Sequence, residues 1–102
     1  MQLISKLSDM IEEELNDAEK YINCAMDKKV EYPDLAETFY KLSMEEMNHV
    51  TMLHSQVTAL ISAYRKEHGE PPEKMLFLYD YLHKKHIEKS HEIKDKQALY
   101  KG

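Results

Sequence analysis

A walk along the chain in alternating steps of three and four residues meets Ile4, Leu7, Ile11, Glu14, Ala18, Tyr21 and Ala25, with Leu15 and Ile22 widening the apolar face alongside. The same walk further on meets Leu35, Phe39, Leu42, Glu46, His49, Leu53, Gln56 and Leu60, with Met47, Val50, Val57 and Ile61 beside them. Apolar residues at this spacing line one face of an α-helix. Two breaks separate the periodic stretches. At Tyr32-Pro33-Asp34 the proline suits the first turn of a new helix and pushes the preceding residue into an extended conformation. At His68-Gly69-Glu70-Pro71-Pro72 a glycine can close one helix in a left-handed conformation, and the prolines cannot continue it. The pattern therefore predicts three helices, near residues 3–28, 34–67 and 72–99, in one all-α domain with no internal repeat.

A seven-residue repeat sustained along two helices joined by a short loop predicts a long antiparallel hairpin, packed at the small crossing angles of a four-helix bundle. The third helix begins densely apolar, with Met75, Leu76, Phe77, Leu78, Tyr79, Tyr81 and Leu82, and thins to Ile87, Ile93, Ala98, Leu99 and Tyr100 among many Lys and His. Its first half is expected to be buried, in a subunit contact or across the open side of the hairpin, and its second half to run along a wet surface.

Composition narrows the class without changing it. Only two Gly and three Pro interrupt the 102 residues, and 32% are charged, which favours long continuous elements. A chain this short buries a modest share of its surface, so association with a second copy is expected. Residues 1–50 hold 12 acids against 5 bases, an acidic half with no basic stripe, which argues against a nucleic-acid partner. No apolar run approaches the roughly 20 residues that span a bilayer. The N-terminal MQLISKLSDM lacks the basic-then-apolar order of a signal peptide. The single cysteine, Cys24, fits a reducing compartment and reads as a small packing residue. A soluble, cytoplasmic protein is expected.

The chemistry enters where the periodicity fails. Glu14, Glu46 and His49 occupy stripe positions, and a carboxylate buried without a partner costs several kcal/mol. Glu46 and His49 are three residues apart, so they project to one side of their helix. Glu14 precedes the hairpin loop by about as many residues as Glu46 follows it, so an antiparallel hairpin sets the two at a similar height. One Glu facing a Glu-x-x-His is half the ligand set of a di-iron carboxylate bundle, which draws a Glu from each of two helices and a Glu-x-x-His from each of two others. Oxygen and imidazole donors suit iron, with manganese possible. Two copies about a twofold axis supply all six ligands, so the half-set implies a homodimer, or a higher homo-oligomer, with two metal ions per dimer at the interface.

The stretch from Glu14 to His54, ELNDAEKYINCAMDKKVEYPDLAETFYKLSMEEMNHVTMLH, resembles the ferritin-like superfamily, especially rubrerythrin-type domains and the short encapsulated ferritins that build a four-helix site from two chains. The matching pieces are Glu14 with Tyr21 seven residues later, the Pro-Asp-Leu-Ala-Glu-x-Phe entry to the second helix, and Glu46-x-x-His49. The resemblance implies that Glu14 and His49 bind one iron terminally, that Glu46 bridges two irons, and that Tyr21 sits close by as a catalytic hydrogen-bond or electron donor. It implies ferroxidase or rubrerythrin-like peroxidase activity. Two departures stand out: no Cys-x-x-Cys pair follows, and the tail DKQALYKG does not look like an encapsulin-targeting peptide.

Other candidates read more plainly. Glu88-Lys89-Ser90-His91 repeats the Glu-x-x-His spacing but falls beside the third stripe, among lysines, and is expected to be solvated. His83 and His86 could hold a transition metal, though a polar face is the expectation, and His54 is expected to hydrogen-bond behind His49 or to lie exposed. Glu13 and Glu45 flank the ligand stripe and are expected to be solvated. The rival to the enzymatic reading is a helical structural or interaction protein that uses the hairpin for oligomerisation.

Overall fold

A computed structural model describes residues 2–102, and every described residue outside two short loops and the last position is helical. The elements are α1 (Gln2–Lys28), α2 (Pro33–His68) and α3 (Glu73–Lys101). Pro33 opens α2 behind an extended Tyr32, as its fixed φ and missing N–H favour. Gly69 closes α2 at φ 77°, where its N–H donates to the Arg65 carbonyl at 3.0 Å, a conformation a side chain would strain. The three helices run up, down and up in a rod of 56 × 19 × 18 Å. That length is set by α2, whose 36 residues rise to about 54 Å at 1.5 Å each.

The α1–α2 hairpin is the most extensive packing, and α3 lies chiefly against α1, touching α2 sparsely. The seam differs from the one the sequence suggests. In α1 the buried residues are Ile4, Ser8, Ile11, Leu15, Ala18, Ile22 and Ala25, and in α2 they are Ala36, Ser43, Met47, Val50 and Val57. Positions 4, 11, 18 and 25 are as expected. The alternate positions shift by one, from Leu7, Glu14 and Tyr21 to Ser8, Leu15 and Ile22, and the whole α2 seam moves from Leu35, Leu42, Glu46 and His49 to Ala36, Ser43, Met47 and Val50. Small residues explain the shift. Ser8, Ala18, Ala25, Ala36 and Ser43 carry little apolar area and score weakly in a stripe, yet all five are buried, and small side chains let helices approach closely. Leu15 and Ile22, exposed by 1% and 0%, each contribute about 1.5–3 kcal/mol by leaving water.

α3 also reverses its expectation. Its buried residues, Ile93, Gln97 and Tyr100, all lie in the second half, whereas Phe77 is 75% exposed and Leu78 and Tyr81 are about half exposed. Apolar residues crowd the first half on all sides, so only Met75, Leu76, Tyr79 and Leu82 can face the hairpin. The second half places its fewer apolar groups at helical spacing, opposite the small residues of α1 and α2. There the Gln97 amide donates to Ser43 Oγ at 3.0 Å, and Ser43 Oγ donates to the Ala18 carbonyl at 2.7 Å, a buried relay joining all three helices. Further along, Glu19 of α1 accepts from Lys89 at 2.6 Å and from Lys96 at 3.5 Å. The Lys89 hydrogen bond, helped by the charges of both lysines, holds the Glu19 carboxyl below its ordinary range against an opposing effect of burial. Tyr100 donates to Glu37 at 3.0 Å and stacks on Tyr40.

No described helix is long and apolar enough to cross a membrane.

Candidate metal centre

The one-residue shift of the seam decides where the three polar stripe residues go. A helix turns about 100° per residue, so Glu14, beside Leu15, and Glu46, beside Met47, leave the bottom of the seam and sit on its shoulder. The α2 residues that meet α3, including Ser43 and His54, point the other way. Glu14, Glu46 and His49 therefore share the hairpin face turned away from α3.

On that face the three side chains converge. Each offers one ligand atom, and these atoms all lie within 4.8 Å of one another. His49 Nδ1 is 3.4 Å from Glu14 Oε2 and 3.5 Å from Glu46 Oε2. Burial is graded across the group: the side chains of Glu46, Glu14 and His49 are 18%, 30% and 50% exposed. The expected facing of Glu14 and the Glu46/His49 pair across the antiparallel hairpin is thus seen, but the group is half-open to solvent and not enclosed in the core. The reason is positional: α3 fills the other groove of the hairpin, and no other element among the described residues reaches this one.

Within the group one atom stands out. Glu46 Oε2 is buried and makes no hydrogen bond, because the 3.5 Å approach of His49 Nδ1 does not meet hydrogen-bond geometry. A desolvated carboxylate oxygen without a donor costs about 1–3 kcal/mol or more. Two carboxylates and an imidazole form a donor set that suits iron, manganese or zinc, and a cation at their point of convergence would satisfy the orphaned oxygen. The residues present fit a divalent metal.

Tyr21 lies one heptad from Glu14, about 10.5 Å along the helix axis. It is partly buried and stacks on Phe39, with ring centroids 6.3 Å apart. Among the described residues its hydroxyl makes no hydrogen bond to the Glu14, Glu46 and His49 group. Glu13 and Glu45 are exposed, and so are Glu88 and His91. His54 does not stand behind His49. It occupies the buried register one turn beyond Val50 and meets His83 of α3 on the opposite face. The pairing was legible only in part: His54 lies seven residues past Met47 and His83 lies four past Tyr79, but which helices would face each other was not written in either spacing.

No protein family, curated protein or solved structure matches the chain, so function has to be read from the residues themselves.

Proposed function

We propose that the chain is a ferritin-like protein whose four-helix bundle is completed by a second copy, and which holds two iron ions between subunits, with manganese as the alternative metal, and oxidises iron or reduces peroxide there. The observation that carries this reading is the unpartnered, buried Glu46 Oε2, set within reach of Glu14 and His49 on the one hairpin face that α3 leaves open. A single chain supplies three ligands, whereas a two-metal carboxylate site takes four Glu and two His. A twofold axis beside His49 doubles the set and buries the partly exposed Phe39, Leu42, Leu53 and Leu60 of the same face.

Each group has a role in this reading. Glu14 and His49 would hold an ion from the more open side, and Glu46, the most buried of the three, from the inner side. Iron held there would supply the electrons for reducing oxygen or peroxide. In this reading Tyr21, on the same open face, would donate a proton or an electron, and the dimer would have to bring its hydroxyl closer to the metals than the single chain does.

The test is metal analysis joined to sedimentation. Metal-free protein loaded anaerobically with Fe(II) is expected to sediment as a dimer holding two irons, and admission of air is expected to raise the ultraviolet absorbance faster than buffer alone. Glu46→Ala is expected to lose both the iron and the oxidation. A dimer that takes up no metal, with Glu46→Ala indistinguishable from the parent, would sink the metal reading and leave a helical assembly protein.

A further inference from the structure

A second set of potential ligands lies on the opposite side of the hairpin. Midway along α3 a cavity of about 250 Å³ opens against α2, floored by Ile11 and Val50 and ringed by His54, His83, His86 and His91. His54 belongs to α2 and the other three to α3. His54 Nε2 lies 3.2 Å from His83 Nδ1, and the two rings stack with centroids 4.7 Å apart. Tyr79 also stacks on His83, with ring centroids 5.5 Å apart. His86 follows His83 by three residues, so it projects to the same side, one turn on.

Two features mark this as more than a polar face. The first is distance: two nitrogens bound at 2.0–2.1 Å to one tetrahedral ion lie about 3.3 Å apart, close to the 3.2 Å at which His54 and His83 share a hydrogen bond, so an ion can replace the shared proton with little movement of either ring. The second is position, because α3 touches α2 sparsely, and this contact joins the two helices at mid-length.

We propose that His54 and His83, with His86 of the same cavity drawn in by a change of rotamer, form a second metal site selective for a borderline transition ion of the zinc class, and that the bound ion clamps α3 to α2. An all-imidazole donor set favours zinc, nickel or copper, whereas the carboxylate-rich group on the opposite face also accepts the harder iron(II) and manganese. The two sites share no residue, so the clamp stands whether or not the open face binds iron.

The test uses zinc chloride and full-length, metal-free protein in which Glu46→Ala and His49→Ala remove the other group. Calorimetric titration is expected to show one zinc per chain, with a rise in melting temperature. Adding His83→Asn or His54→Gln is expected to weaken zinc binding by at least about tenfold and to abolish the thermal shift, while circular dichroism of the metal-free variants stays helical. In the otherwise wild-type chain, His83→Asn is expected to remove one zinc per chain and leave iron loading unchanged, which separates this site from the one on the open face. Zinc bound more weakly than about 100 μM in the parent, or equally well by His83→Asn, would overturn the proposal.

Discussion

The two faces of the α1–α2 hairpin carry nearly the same repeat and end in opposite environments. One face holds Ile11, Leu15 and Ala18 against Met47 and Val57, is covered by α3, and carries the buried relay from Gln97 through Ser43 to the Ala18 carbonyl. The other, rotated by one residue, holds Leu7, Glu14, Tyr21, Phe39, Glu46, His49 and Leu53 and is half-exposed. On the covered face the buried hydroxyl and amide are satisfied within the chain. On the open face a buried carboxylate oxygen is not. A chain of this size has one further helix with which to cover two grooves, so one groove becomes core and the other stays available for a ligand and a partner.

The comparison can be broken most sharply at the core. Leu15→Ala, one residue from Glu14, is expected to cost about 2–5 kcal/mol in urea denaturation, because the cavity it leaves is walled by three helices. A cost below about 1 kcal/mol would show that the covered face is not the core. On the open face the expected sign depends on metal. Without metal, Glu46→Ala is expected to be as stable as the parent or more so, since an unsatisfied buried oxygen disappears. With Fe(II) at a hundredfold above its dissociation constant, the parent gains about 2.7 kcal/mol that the variant lacks, so the order of melting temperatures reverses. An order that holds with and without iron would remove the asymmetry between the faces.

A smaller effect sharpens the account of how α3 is held. Gln97→Ala leaves the Ser43 oxygen without its donor and is expected to cost about 1–3 kcal/mol, read as a lower urea midpoint with an unchanged slope. The smallest effect is at the half-exposed Glu19–Lys89 pair, where Glu19→Gln is expected to cost less than about 1 kcal/mol at neutral pH. The sign of its pH dependence follows from the lowered carboxyl. Below the ordinary value of 4.5 the unfolded chain takes up the proton more readily than the folded one, so this stabilisation is lost as pH falls through the folded-state value. Parent and Glu19→Gln melting curves are therefore expected to differ at pH 7 and to converge only as the pH falls below the lowered folded-state value of the carboxyl; a gap that persists in acid would assign the effect to packing.

The chain's own pattern determined the helices, the places where they stop, and the convergence of Glu14, Glu46 and His49. Those follow from local rules: Pro33 and Gly69 act on their own backbones, and residues three apart on a helix share a side whatever surrounds them. The tertiary structure decided which of two adjacent apolar stripes became the seam, which end of α3 docked, and that His54 meets His83. Periodicity locates an apolar face only to within about one residue, roughly 100° of helix rotation, when neighbouring stripes are both apolar. The choice between them rests on how closely helices can approach over Ala18, Ala36 and Ser43, and that closeness depends on the shape of a third helix distant in sequence. Small side chains, silent in a hydrophobic pattern, thereby placed the carboxylates and the histidine on the open face of the hairpin.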